Sequence, residues 1–557
     1  MNDCGTGQHQ VAPLSAARER RSGHRAWRAG SALMVLALAV PPVMGQVIFI
    51  DGFETGNTSA WSGPDPSGDP CTATIYATSF TGDEESWPAP WSVAGGVQRQ
   101  ELVADRSELV PAPSSYSLAR MVHPVSTEDV EVRFTMRFTD ASTQGVGFYV
   151  RQNSGYLHDT TPAGEGYAVF VEAFRGPGIG VWREVGGSEQ DIQIHFDAAL
   201  GLVNGVDYRV RFRAYQLDPT TTMLQAKVWP AADVEPFGWQ VEATDSTPSL
   251  QNIAGGIAID SWSSIQAPNP IDDANPTIVD DIEIVPLCDP LAGLPALTSV
   301  SEGYSFTEGP LWRGDHLLFT DLDLAVIERL DPPADLSTHR AMSNEANGIA
   351  LTPDGHLLAA ERNPPRISID TGAGPVTWID EVGGDGFNAP NDLAVRSDGV
   401  VYFTDPTYGM IGSSDLGYNG LFRVTPGVSP SVVDEWQGVQ GTNQPNGVAL
   451  SPDERLLFVT DSQQGNLLVW SVNPDGSLDY IELVDNGLNV PDGMCVGPYG
   501  NLWVATWNST LEVYSMDGTH WGSLAVPQQA TNCAFGGNDG RTLYVTAQTG
   551  LYATTLP

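Results

Sequence analysis

The feature that most constrains this chain is an internal repeat in its second half. The units read EGPLWRGDHLLFTD from Glu308, NGIALTPDGHLLAAE from Asn347, NDLAVRSDGVVYFTD from Asn391, NGVALSPDERLLFVTD from Asn446, DGMCVGPYGNLWVAT from Asp492 and TNCAFGGNDGRTLYVT from Thr531. Each unit is a polar head, a short apolar strand, a Gly/Pro/Asp turn and a second apolar strand. The heads are spaced 39, 44, 55, 46 and 39 residues apart. Repeats of this length, each holding a few strands, predict the blades of a β-propeller, and six heads predict six blades. Only 27 residues run from Thr531 to the C-terminus. The 13 residues of 295–307 bring that to one normal period, so the strand around LTSVSEGY is expected to complete the last blade and remove an open sheet edge.

A propeller brings equivalent positions of its blades around one axis. The six heads are therefore expected at the mouth of a central channel, forming a ring of oxygen donors with two formal negative charges. Such a ring suits a hard cation, which takes six to eight oxygen ligands. No His stands among the heads, and no HExxH motif or Cys cluster occurs, which argues against zinc. The second strand of each blade returns to the same face, and its end carries Asp321, Glu361, Asp405 and Asp461, read as a second acidic tier. The competing reading is that Asn-Gly and Asp-Gly are ordinary turn formers. Glu308, where turn chemistry does not ask for Glu, weighs against it.

The first half differs. VEVRFTMRF, GVGFYVRQ, GYAVFVEAF, YRVRFRAY and MLQAKVWP alternate with a period of two, separated by turns such as RGPG and DPTT. No helical period appears. The fold class expected is all-β: a six-bladed β-propeller at 295–557 preceded by an antiparallel jelly-roll β-sandwich at 71–290. Residues 46–70 read as a Gly/Pro/Ser/Asp-rich linker. Residues 1–45 carry five arginines, then the apolar run Ala32 to Val40, then small residues before Gln46. That is the order of a secretory signal cleaved before Gln46, which makes the protein secreted or periplasmic. Cys4 falls in the leader, leaving Cys71, Cys288, Cys495 and Cys533. The first two bracket the sandwich as a stapling disulfide would; the last two are open between a bridge and buried thiols.

The chain holds 26 Lys and Arg against 68 Asp and Glu, a net charge of -42. Loss of the leader, with five arginines and two acids, makes it -45. So acidic a surface repels phosphate and argues against a nucleic-acid partner. The one lysine, Lys227, is the sole candidate for Schiff-base chemistry. No stretch outside the leader approaches a membrane span.

The strings FTEGPLW, NAPNDLAV with SDGVVYFTDPTYG, QPNGVALSPD and VPDGMCVGPYGNLWVA resemble the gluconolactonase family that includes regucalcin (senescence marker protein), in its order and spacing over 295–557. The resemblance implies a metal-dependent hydrolase of sugar-type lactones on a six-bladed propeller, which the leader would make a secreted one. Its divalent cation would be Ca²⁺, with Zn²⁺, Mn²⁺ or Mg²⁺ also open. Carried over residue by residue, Glu308, Asn446 and Asp492 would hold the metal and Asp492 would be the base. Asn391 would contact metal or substrate. Asn347, Glu361, Arg362 and Tyr408 complete the expected substrate site, with Trp507 as a further wall. Two departures stand out. Some relatives carry an Arg two residues before the APND-type Asn, where this chain has Ala389, and the position of a His in many bacterial relatives falls in the run Ala360-Glu361-Arg362-Asn363. The strand TIVDDIEIV beside Cys288 resembles the closing strand of concanavalin-like jelly rolls, which implies polysaccharide as a partner of the sandwich. The alternatives are a non-catalytic secreted propeller binding carbohydrate or a cell surface, and a propeller of strictosidine-synthase-like or arylesterase-like kind.

Overall fold

A computed structural model of the chain describes residues 74–113, 118–263, 276–410, 412–427 and 431–557. The leader, the linker and Cys71 lie outside the described residues. Everything described is strand, turn or short 3₁₀ segment. Among the described residues no helix is long and apolar enough to cross a membrane.

The first half forms two antiparallel sheets. One has the strands 241–245, 221–230, 207–218, 130–138, 277–286, 107–111 and 97–102 side by side, with 76–78 paired to 277–286. The other runs 188–196, 178–185, 166–172, 144–152, 255–263, 118–127 and 92–95. Alternation decides which side chains face inward. In 130–138, Val130, Val132, Phe134, Met136 and Phe138 are buried in the shared core, while Arg133, Thr135 and Arg137 between them are only partly covered. Phe134 stacks on Phe148 of the opposite sheet with centroids 5.0 Å apart.

Two strands of the seven-stranded sheet depart from simple alternation. Residues 144–152 and 166–172 are buried on both faces, because the outer face carries its own apolar cluster of Tyr149, Phe170, Trp182 and Ala258. Arg120 lies buried on that face. Its Nε and Nη2 donate to the two oxygens of Asp260 at 2.7 Å each, and its Nη1 donates to Glu184 Oε2 at 2.7 Å. The strands 76–78 and 277–286 from opposite ends of the sandwich sequence pair directly, Tyr76 opposite Ile284. Cys288, just beyond them, is disulfide-bonded.

The second half is a closed ring of six four-stranded sheets. The inner strands of the blades are 307–312, 346–351, 393–395, 445–450, 491–496 and 530–536, and each packs beside the next around the ring. The strand 298–302 pairs with 550–555, Thr298 opposite Ala553, and is the outer strand of the sixth blade. The ring is thus closed by both ends of the repeat region, as the 40-residue period required. Cys495 and Cys533 are bridged, which ties the inner strands of the fifth and sixth blades together.

The two halves meet at the turn 515–519 of the fifth blade. Asp517 Oδ2 lies 2.8 Å from Arg213 Nη2 and 3.2 Å from Arg211 Nη2. Glu131 pairs with both of these arginines as well. Lys227 is buried here against Glu235 at 2.6 Å, and Trp239 lies under Arg211, Arg213 and Lys227. The outward row of basic residues in YRVRFRAY is therefore a docking face. Lys227 is occupied by a structural ion pair, far in sequence from the heads.

Candidate functional site

In five of the six blades the head sits where the inner strand slips register against the second strand; in the third, Asn391 lies just before its inner strand 393–395. The slip occurs between Glu308 and Leu311, Ala346 and Ile349, Pro445 and Val448, Pro491 and Met494, and Ala530 and Asn532. Such a bulge turns one residue out of the ladder and aims it into the channel. Glu308, Asn347, Asn391, Asn446 and Asp492 are all buried.

The head of the sixth blade behaves differently. The Thr531 hydroxyl donates to Thr307 O of the first blade at 2.7 Å, so it fastens the ring shut and offers no ligand oxygen. The next residue, Asn532, supplies the polar side chain instead. In the third blade Asp392 likewise follows Asn391 into the channel, and both are buried. Sequence reasoning missed this pair. The available signal was that Gly follows the head in the other four blades and is absent only here.

Three carboxyls share this buried space, and none makes an ion pair with an Arg, Lys or His among the described residues. Burial pushes the Glu308 carboxyl well above the usual range, with Asp492 and Asp392 adding repulsion. Burial likewise raises Asp392 to about 6 and Asp492 to about 7. Trp507 Nε1 donates to Asp492 Oδ2 at 2.8 Å, and the Asn446 side chain lies beside the same carboxyl; both favour its charged form. Asn446 Nδ2 donates to Ser462 Oγ at 3.0 Å, and Ser462 Oγ in turn donates to Pro491 O. This chain of bonds fixes the amide, so its oxygen is the atom turned to a ligand. The Tyr408 phenol interacts with the same Ser462 and lies close enough to Asp492 to feel its charge. Among the described residues, the side-chain amides of Asn347 and Asn391 are left without a hydrogen-bond partner, open to a bound molecule.

Two expected members have other work. Glu361 is buried and both its oxygens are occupied: Arg340 Nη2 and Ser368 Oγ on one, Asn344 Nδ2 and Arg366 Nε on the other. These partners, among them Arg340 from the outer strand of the first blade, hold the carboxyl ionised and take up both of its oxygens. The tier it belongs to is not a cation site either. Asp321 accepts from Ser305 N and Phe306 N, Asp405 from Asn388 N and Ala389 N, and Asp461 from Gln444 N. These acids cap the backbone just ahead of each head. The threonine beside three of them reaches the next blade: Thr320 donates to Asn347 O, Thr404 to Asn446 O and Thr460 to Asp492 O. The recurring Thr-Asp pair is thus a device for setting head positions. Arg362 lies at the rim, its guanidinium 3.3 Å from Glu345 and packed on Gly409, where an added Cβ would sit 2.3 Å from Arg362 Nη1. That places it beside Tyr408, with its buried Nε unpartnered.

The donors suit an oxygen-loving divalent cation: two carboxyls, an oriented amide oxygen and no sulfur or imidazole. Three buried carboxyls without a basic partner call for a cation or for protons. No three His, Cys, Asp or Glu side chains among the described residues converge as a ready-made metal cluster, so the fit rests on Glu308 and Asp492 together with Asn446.

The family model described as SMP-30/Gluconolactonase/LRE-like region matches residues 306–549. A gluconolactonase of Zymomonas mobilis is 32% identical over 287 residues, covering 44% of this chain and 78% of that protein. A pentonolactonase of Haloferax volcanii is 27% identical over 257 residues, covering 44% and 81%. The solved structure of a gluconolactonase from Xanthomonas campestris superposes with a TM-score of 0.45 at 24% identity, covering 48% of this chain and 92% of that one.

Proposed function

The chain belongs to the SMP-30/gluconolactonase/LRE-like family, and from that premise we propose that its propeller hydrolyses sugar lactones at the channel mouth, with Asp492 as the base. The observation that carries this reading is the placement of Asp492. Its carboxyl is buried among the heads, has no basic partner among the described residues, and is held on one oxygen by Trp507. A carboxylate fixed in this way is a positioned proton acceptor for a water in the channel. Trp507 occupies Oδ2, which leaves Oδ1 to take the proton of the attacking water. Water adds to the lactone carbonyl, the ring C–O bond breaks, and the ring oxygen takes back the proton held by Asp492 and leaves as the hydroxyl of an open-chain hydroxy acid. Asn347 and Asn391 present neutral amides that orient substrate oxygens without adding negative charge. Tyr408 forms one wall and Arg362 the rim beside it.

Glu308, Asn446 and Asp492 would hold a divalent cation, with Ca²⁺ the best match to an all-oxygen donor set. When bound, such an ion polarises the lactone carbonyl as a Lewis acid. The disulfides at Cys288 and between Cys495 and Cys533 suit an oxidising compartment, which supports export.

The test is a panel of five- and six-membered aldonolactones assayed with Ca²⁺ and with chelator. Asp492→Asn should lower kcat by about 10²-fold or more, the scale of a lost general base. Full activity in chelator would remove the metal, and full activity of Asp492→Asn would remove the base.

A further inference from the structure

The residue after each head decides what occupies the channel below the ring. In four blades it is Gly309, Gly348, Gly447 or Gly493. Only Gly309 has a left-handed backbone, with φ +47. At the other three, the reason for glycine is space. A Cβ on Gly447 would sit 2.5 Å from Asp492 O. A Cβ on Gly348 would sit 2.5 Å from Asp392 Oδ1, and one on Gly493 would sit 2.1 Å from Asn532 Cγ. Side chains at these positions essentially never approach so closely. The glycines of the second and fifth blades therefore clear room for the two side chains, Asp392 and Asn532, that the third and sixth blades send inward.

Asn532 is held in one orientation. Its Oδ1 accepts from Cys533 N at 2.8 Å, which turns the Nδ2 group away from its own strand. That nitrogen has two hydrogens; Thr531 beside it is bonded to Thr307 O, next to Glu308, and the Asn532 side chain lies close enough to the carboxyls of Glu308 and Asp392 to favour the charged form of each. Asp392 is fixed from its other side by Leu393 N at 2.9 Å on Oδ1. Glu308 Oε2 accepts from Gly309 N at 3.1 Å. One neutral amide thus stands beside two buried carboxyls contributed by the first and third blades. It does so from a strand whose next residue is disulfide-bonded to Cys495, three residues after Asp492.

We infer that Asn532 is a positioning residue: its amide clamps Glu308 against Asp392 so that the Glu308 carboxyl stays oriented for a divalent cation. The inference rests on the proposed function, in which Glu308 is a ligand. A neutral donor is the right chemistry for the task. A cationic clamp would compete with the metal, and a purely apolar filler would leave two carboxylates to repel each other in a dry channel.

The test is a graded series in the full-length protein: Asn532 with two donor hydrogens, Asn532→Ser with one, and Asn532→Ala with none. Ca²⁺ affinity is measured by calorimetry. Lactone kinetics are measured at limiting and at saturating Ca²⁺, and melting in chelator reports on the fold. The Ca²⁺ Kd should rise about tenfold or more in Asn532→Ala and by less in Asn532→Ser. Saturating Ca²⁺ should restore kcat, and melting in chelator should stay near the parent. An unchanged Kd in both variants overturns the inference. So does a loss of kcat that saturating Ca²⁺ leaves uncorrected, which would mark Asn532 as filler only. If Asn532→Ala does not fold, Asn532→Ser alone decides by the same criteria. A parent protein that shows neither Ca²⁺ binding nor lactonase activity would instead remove the proposed function and this inference with it.

Discussion

The junction between sandwich and propeller yields a sharp prediction through Asp517. Its Oδ2 faces both Arg211 and Arg213, and its Oδ1 accepts from Arg213 Nη1 at 3.2 Å, Ser515 Oγ at 2.7 Å and Thr519 Oγ1 at 2.8 Å. Arg133, Arg211, Arg213 and Lys227 balance Glu131, Glu235, Glu283 and Asp517, four charges against four. Asp517→Asn keeps the Oδ1 contacts. It replaces Oδ2 with a donor aimed at two guanidinium groups and leaves one buried cation uncompensated. Side-chain exposure of 5% at both Arg213 and Asp517 means water offers little relief. Breaking such a buried pair from one side costs about 3–5 kcal/mol. In a domain of this size each kcal/mol moves the transition by about 2–4 °C, so the transition that includes the junction should fall by about 6 °C or more in scanning calorimetry. The sign with pH follows. Burial alone would raise the Asp517 and Glu131 carboxyls, but the arginines outweigh it and hold both well below the usual range. Their contribution is present above the unfolded carboxylate pKa of about 4 and is lost as pH falls through the lower folded values. Acid should therefore erode the parent more than the variant. A shift under about 1 °C, or equal acid sensitivity of the two proteins, would refute a tightly locked junction and return the sandwich to a loosely tethered module.

Two further outcomes are expected. Burial pushes the Glu184 carboxyl up to about 8 beside Arg120 and Asp260. The native state therefore holds a proton that the unfolded chain releases near pH 4, and stability should fall as pH rises from there toward 8. Glu184→Gln should lessen that slope and melt above the parent at pH 8, and an unchanged slope would contradict the assignment. Removing the Cys495–Cys533 bridge, which closes a loop of 38 residues, should cost about 4 kcal/mol by chain entropy. The check is chemical denaturation of the double Cys→Ser protein, and an unshifted midpoint would show that the bridge adds nothing to the ring.

The repeat made the ring legible because a blade is local: two apolar strands, a turn and a head recur within one short window. Closure was legible by counting, since the short last unit and the residues before Glu308 together make one period. The junction was not. Arg211, Arg213, Lys227 and Asp517 come from segments far apart in the chain, and an alternating strand such as YRVRFRAY looks the same whether its basic face meets water or a neighbouring blade. The cysteines were half legible. Their similar places in consecutive units suggested proximity, but only the placement of the two inner strands brings Cys495 and Cys533 to a Cα separation of 5.4 Å.

At the site, the heads were legible as a set, but their individual jobs depend on neighbours in the next blade. The Thr-Asp pairs ending the second strands look like a second ring of cation ligands. In three dimensions each Asp accepts backbone N–H groups ahead of its own head, and each of the three threonines holds the following head by its carbonyl. Acidity there serves geometry. The same reasoning reverses the meaning of Asn-Gly and Asp-Gly. As isolated dipeptides they signal turns, yet Gly348, Gly447 and Gly493 lack a left-handed backbone and are glycine because another blade occupies the place of their side chain. It follows that the informative units are those that break the pattern. Asp392 and Asn532 stand where the other blades have glycine, and their side chains use the space that glycines elsewhere leave open. In this ring, the residues that set the channel's chemistry are the ligand-type heads together with the two exceptions beside them.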